Sequence, residues 1–136
     1  MHEATQPSAE TTDAPQGNVL NAGCPARGVL EVLAEKWALL LLHTLAAGPA
    51  RTAELRRRVG GISEKMLIQT LRRLQRNGLV ARRAYPQVPP RVEYSLTKLG
   101  ISLSGPITTL NRWVERNLMA IVVARNSFDQ SDESRP

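Results

Sequence analysis

The chain is poor in the residues that build covalent or metal chemistry. It contains one cysteine, Cys24, two histidines, and only two tryptophans, two tyrosines and one phenylalanine among 136 residues. One cysteine excludes an intrachain disulfide framework and a cysteine-only zinc site, so the fold must rest on apolar packing, as suits a reducing cytosol. His2 and His43 lie far apart, with no cysteine or carboxylate at ligand spacing; neither a metal nor a cofactor is expected. Nucleophile motifs, phosphate-binding glycine loops and paired-carboxylate signatures are missing too, which points away from catalysis. The longest apolar run, Trp37 to Leu42, falls well short of the roughly 18 residues a membrane span needs. With no basic n-region or apolar h-region at the start, the expectation is a cytoplasmic protein with no membrane partner.

Acidic residues are scarce in one place in particular. The net charge is +6, yet from Arg51 to Arg91 eleven basic residues face only Glu54 and Glu64, a local +9, leaving −3 for the rest of the chain. Ten of those eleven cations are arginine, whose planar fork pairs bidentately with phosphate and with the guanine edge. The polyanion this favours is double-stranded DNA. For any single arginine, a solvated helix face is the alternative reading.

The length fits one domain. Residues 1–19 lack Lys and Arg, include Glu3, Glu10 and Asp13, and are rich in Ala, Thr, Pro and Gln; they read as a disordered acidic tail. Residues 127–136 read as a flexible C-terminal tail, leaving 20–126 as the folded unit. Pro25 suits the first position of a helix running to about Leu33. The run KWALLLLHTLAAG predicts a helix buried on all sides and ending at Gly48-Pro49. Thr52 reads as an N-cap with Glu54 in the first turn of a short helix that ends at Gly60-Gly61. Ser63 reads as the cap of a further helix over about Glu64–Arg76, with Leu67, Leu71 and Leu74 on its back and Asn77-Gly78 as its stop. Leu79–Tyr85 and Arg91–Leu96 read as strands around a proline-bearing tip. The fold class expected is therefore mainly α with a small β-hairpin wing, a winged helix-turn-helix. Thr97 should cap a fifth helix stopping near Gly105-Pro106, followed by a longer one from about Pro106 to Ala124. Along that last helix Ile107, Leu110, Val114, Asn117 and Ile121 recur at spacings of three and four, with Trp113 beside them. The seam is either intramolecular core or a homodimer interface; the surplus apolar surface favours a second chain.

The major groove admits one α-helix with an apolar back and a polar front. On the Glu64–Arg76 helix the expected groove contacts are Lys65, Met66, Gln69, Thr70 and Arg73, with Arg72 and Arg76 on the same front or merely solvated. Ser63, with the amides of the first turn, forms a candidate phosphate site beside its role as an ordinary N-cap. Arg83 and Arg91 flank the wing tip and are candidates for phosphate or the minor groove, Arg91 the stronger of the two.

The segments CPARGVLEVLAEKW and GPARTAELRRRVGGISEKMLIQTLRRLQRNGLVARRAYPQVPPRVEYSLTKLG closely resemble the HxlR-type winged helix-turn-helix transcriptional regulators, within the MarR-like superfamily. Glu64 stands where many relatives have proline, and His43 often aligns with arginine. The resemblance implies a homodimer, paired largely through the N- and C-terminal helices, that binds a pseudo-palindromic operator and represses or activates neighbouring genes; a repressor is the leading reading. Several similar proteins use a cysteine at the position of Cys24 to sense oxidants or electrophiles; the resemblance transfers the position and not the activity. A helix N-terminus lowers a thiol pKa, but a packed structural cysteine is the other reading. Two other functions fit the residues: a sequence-indifferent architectural DNA binder, and a protein-interaction module.

Overall fold

A computed structural model of the chain describes residues 17–134. The acidic tail expected over residues 1–19 thus lies outside the described residues as far as residue 16, as does His2. Among the described residues, the elements in order are α1 (Pro25–Leu33), α2 (Ala38–Leu45), α3 (Thr52–Arg58), α4 (Glu64–Arg76), β1 (Val80–Tyr85), β2 (Arg91–Leu96), α5 (Lys98–Ile101), α6 (Ser104–Arg116) and α7 (Leu118–Glu133).

The core is built around α2. Ala38, Leu41, Leu42 and Leu45 are buried there against Leu55 and Val59 of α3 and its end, Leu67, Leu71 and Leu74 of α4, Leu79, Val80 and Tyr94 of the hairpin, and Ile107 of α6. Each fully buried leucine contributes roughly 1.5–3 kcal/mol of apolar burial. A helix that supplies this many contacts on several sides must be apolar nearly all round, which is why α2 has so few polar positions. One of them, Thr44, is satisfied locally, its hydroxyl donating to the Leu40 carbonyl at 2.8 Å.

α3 and α4 form a helix-turn-helix. The turn between them contains Gly61 at φ +88, a conformation that costs other residues strain. Thr52 is the first helical residue of α3; Arg51 holds the cap position, and its amide donates to the Glu54 carboxylate at 3.1 Å. The carboxylate three residues on makes the cap here, so the expected role of the Thr52 hydroxyl does not hold. α4 opens as expected, with Ser63 Oγ accepting from the Met66 amide at 3.1 Å. It stops at Asn77 followed by Gly78 at φ +75, the left-handed exit that glycine allows.

β1 and β2 pair antiparallel in the register Val80↔Leu96, Arg82↔Tyr94 and Tyr85↔Arg91. A third piece of extended chain was not expected: Ala50 bridges Tyr94 with reciprocal backbone bonds of 2.9 and 2.8 Å. It ties the α2–α3 link to the base of the wing. At the far side, α5 sits so close to the hairpin that a Cβ on Gly100 would lie 2.1 Å from the Leu79 carbonyl oxygen.

The C-terminal helices depart from expectation in three ways. Gly105 and Pro106 do not end the fifth helix; α5 stops at Ile101, and Pro106 falls in the first turn of α6, where a missing N–H costs little. The single helix expected from Pro106 to Ala124 breaks at Asn117, whose Nδ2 donates to the Trp113 carbonyl at 2.8 Å and so caps α6. α7 then continues to Glu133, through residues expected as a flexible tail. Polarity alone does not end a helix, and no Gly or Pro intervenes.

Candidate nucleic-acid interface

At 100° per residue, the buried stripe of α4 is Leu67, Thr70, Leu71 and Leu74, spaced i, i+3, i+4 and i+7. Opposite it lie Lys65, Gln69, Arg72 and Arg76. Lys65, Arg72 and Arg76 are exposed and Gln69 half-buried, and the three cations have no ion-pair partner among the described residues. Arg72 and Arg76, with Arg73 and Gln75, line a shallow groove on this face.

The expected groove residues therefore divide. Lys65 and Gln69 stand on the open front. Met66, Thr70 and Arg73 fall along one flank that meets the scaffold, and the burial of Thr70 removes it from the open front. Met66 is half-buried against the core. Thr70 is 1 % exposed, its hydroxyl donating to Glu35 Oε1 at 3.3 Å. Arg73 donates through Nη1 to Glu35 Oε2. The spacing 67–70–71–74 could have placed Thr70 in the stripe; its polarity concealed it. Glu35, in the connector between α1 and α2, gave no local signal, because its partners are 35 and 38 residues away.

In the wing, Arg83 is exposed and lies over the Tyr85 ring at 4.6 Å. Arg91 is turned inward. Its Nη2 donates to Glu93 Oε2 at 2.6 Å, its guanidinium lies 4.3 Å from the Tyr85 ring centre, and its Nε is buried without an acceptor. Tyr85 donates its hydroxyl to the other Glu93 oxygen at 3.0 Å. The Arg91 guanidinium, then the Tyr85 hydroxyl, hold the Glu93 carboxyl below its ordinary pKa. Arg91 is thus ion-paired and half-buried in the DNA-free chain, where an open cation beside the wing tip was expected. Arg82, which the reading of the wing passed over, is exposed beside Arg83.

Ser63 is exposed at the head of α4, its hydroxyl committed to the cap. Arg56 of α3 reaches Glu64 at 3.3 Å across the turn; with both side chains exposed, such a pair is worth about 0–1 kcal/mol.

Cys24 occupies the N-cap position of α1 and is half-buried. Its Sγ accepts from the Asn18 amide at 3.4 Å. That backbone N–H, then that of Ala26, lowers the thiol pKa, and burial opposes them. Arg27 fastens the preceding segment to α1, its Nε donating to the Val19 carbonyl at 2.7 Å.

The expected interface seam also divides. Ile107 is 4 % exposed and belongs to the subunit's own core, because α6 packs this residue onto α2. Asn117 is spent on the helix break and Ile121 is half-buried on α7. Leu110, Trp113 and Val114 are exposed by 46, 53 and 44 %; Leu30 of α1 lines an apolar hollow with Leu110, and Leu118, Met119 and Phe128 of α7 are exposed as well. Among the described residues, no group of His, Cys, Asp and Glu is arranged to hold a metal, and no helix is long and apolar enough to cross a membrane.

A helix-turn-helix whose second helix turns a cationic front outward, followed by a two-stranded arginine-bearing hairpin, defines a winged-helix DNA-binding domain. Residues 32–122 match the HxlR-like helix-turn-helix family, and the chain belongs to it. It is 44 % identical over 111 residues to the uncharacterized HTH-type transcriptional regulator YtfH of Escherichia coli, covering 82 % of this chain and 88 % of that one. The solved structure of ytfH from Salmonella typhimurium, described as a transcriptional regulator, superposes with a TM-score of 0.76 at 43 % identity, over 82 % of this chain and 99 % of that one. The redox regulator HypR in its reduced form superposes with a TM-score of 0.68 at 36 % identity, over 73 % and 98 %. The chain is thus a helix-turn-helix transcriptional regulator that binds DNA.

Proposed function

We propose that the protein acts in the cytoplasm as a homodimeric, site-specific repressor, its two copies of α4 entering successive major grooves of a pseudo-palindromic operator. The observation that carries this reading is the front of α4, where Lys65, Gln69, Arg72 and Arg76 face away from a leucine-locked back. Gln69 pairs with adenine, and Lys65, Arg72 and Arg76 meet guanine or phosphate. The head of the helix at Ser63 takes a backbone phosphate. Arg82 and Arg83 carry the wing's contact. A second copy of the chain covers the apolar surface of α1, α6 and α7, and this sets the separation of the two reading helices.

The same reading makes Cys24 the responsive group, toward a small oxidant or electrophile. Its support is the lowered thiol pKa at the head of α1 and the likeness to HypR. A single thiol per subunit switches through an intersubunit bridge, a mixed disulfide, alkylation or sulfenic acid. Unchanged mobility on a non-reducing gel and unchanged DNA binding after diamide remove disulfide switching from this proposal.

Footprinting of the DNA upstream of the chain's own gene, together with sedimentation, tests the main reading. The expected result is a dimer and a two-fold symmetric footprint with half-sites about one helical turn, ~34–36 Å, apart. A monomer at micromolar concentration or an asymmetric footprint overturns it. Equal affinity for that fragment and a random duplex at physiological salt makes the protein an architectural binder instead.

A further inference from the structure

We infer that Glu35 is the positioning residue of the recognition helix: it withdraws Arg73 from DNA and adds a directional restraint to the rotation of α4, leaving sequence reading to Lys65, Gln69, Arg72 and Arg76. The inference rests on the proposed reading of α4 as the DNA-contacting helix.

Glu35 lies outside both elements of the helix-turn-helix, in the connector between α1 and α2. Its two carboxylate oxygens are used separately: Oε1 accepts from the Thr70 hydroxyl at 3.3 Å, and Oε2 accepts from Arg73 Nη1. Thr70 is 1 % exposed, so water does not supply its acceptor, and its hydroxyl donates instead to Glu35. Both donors stand on one flank of α4. The leucine stripe holds the helix against the scaffold and sets its rotation through close packing, and polar contacts on one flank add direction to that packing. Two hydrogen bonds accepted by one carboxylate add a directional restraint on that flank, and base readout demands that the supporting shell fix such side chains to within about 0.5 Å.

The connector also grips the turn. The Trp37 ring comes within 3.7 Å of the position a Cβ would occupy on Gly61, and Lys36 lies 4.8 Å over the same ring. Two neighbouring residues thus hold the two parts of the helix-turn-helix that must stay in register, Trp37 the turn and Glu35 the helix. The charge consequence is separate from the mechanical one. Arg73 is 45 % exposed at its side chain, and without Glu35 its guanidinium joins the unpaired cations of α4.

Binding to a random duplex and to the footprinted fragment, measured by fluorescence anisotropy across a salt series, tests both consequences. Wild type is compared with Glu35→Gln, Glu35→Asp, Arg73→Gln and the double variant Glu35→Gln/Arg73→Gln, with thermal unfolding recorded for each. Glu35→Gln steepens the dependence of log affinity on log salt by about 0.9 per contacting subunit and lowers the specific-to-random ratio by about tenfold. The double variant returns the slope to the wild-type value while the ratio stays low. Arg73→Gln alone and Glu35→Asp, which keeps the charge, retain the wild-type slope. A merely structural role for Glu35 lowers stability and leaves every slope alone, and that result overturns the inference. So does a flattened slope for Arg73→Gln, which puts Arg73 on the phosphates while Glu35 is present. Should Glu35→Gln not fold, Glu35→Asp and Arg73→Gln decide the matter. Wild-type protein without salt-dependent duplex binding overturns the reading of α4 itself, and this inference with it; a normal wild-type slope with an unaltered Glu35→Gln overturns the inference alone.

Discussion

The recognition helix and the wing are both rich in arginine, and they treat it differently. On the front of α4, Arg72 and Arg76 stand exposed without an ion-pair partner among the described residues. In the wing, Arg91 is bound to Glu93 and stacked on Tyr85, and Arg83 lies over the same ring. The front of α4 holds its charge open because the helix takes its shape from a stripe of buried leucines, while Arg73 on its flank is paired with Glu35. The hairpin has only one buried side chain in β1, Val80, and one in β2, Tyr94. It therefore uses arginine as building material, with Glu93 and Tyr85 as its fixings. Charge count alone overstates what a wing offers to DNA.

Breaking the back of α4 should have the largest effect. Leu71 is fully buried in the core, and Leu71→Ala should cost about 2–5 kcal/mol through lost transfer and the cavity left behind. Urea unfolding checks this, and operator binding should fall with the folded fraction. A loss under about 1 kcal/mol would mean that the stripe does not carry the helix.

The contrast between helix and wing is sharpened by a paired truncation. Arg72→Ala should reduce the salt slope of duplex binding by about 0.9 per contacting subunit. Arg91→Ala removes a cation whose charge Glu93 already cancels, and it should move the slope far less. If the two variants change the slope equally, Arg91 leaves Glu93 for phosphate in the complex, and the distinction between helix and wing disappears on binding.

How far this was legible in the sequence follows the distance over which each feature is determined. The cap at Ser63, the exit at Gly78 and the strand boundaries at Tyr85 and Arg91 match the sequence reading, because turn and cap chemistry acts within a few residues. The front of α4 was legible for Lys65 and Gln69, where apolar spacing set the opposite face. It did not reach the contacts of Thr70 and Arg73 with Glu35, which comes from another part of the chain. It failed likewise at Ala50, whose bridge to Tyr94 joins residues 44 apart. The break at Asn117 was read as a polar position in one seam, since a helical period continues through a junction that a side-chain amide caps. Where a residue's role is set by a partner distant in sequence, local pattern assigned it to solvent or DNA by default.

The smallest effect should come from acidifying the wing cluster. Glu93 is held below its ordinary pKa first by the Arg91 guanidinium and then by the Tyr85 hydroxyl, with Arg51 adding a favourable charge. A carboxyl whose folded-state pKa is depressed contributes stability above its unfolded value, roughly 4.3 for glutamate, and loses that contribution as pH falls through the folded value. The wing's share of stability should therefore be complete at neutral pH and decline only below that window. Thermal unfolding of wild type and Glu93→Gln across the acid range measures it. The variant should start lower at neutral pH, and the two curves should converge as Glu93 protonates, because protonation removes from the wild type what the substitution has already removed. Parallel curves over the whole range would mean that the Arg91–Glu93–Tyr85 cluster adds nothing in solution. Arg91 would then be as available to DNA as Arg72, and the helix and the wing would not differ in how they use their arginines.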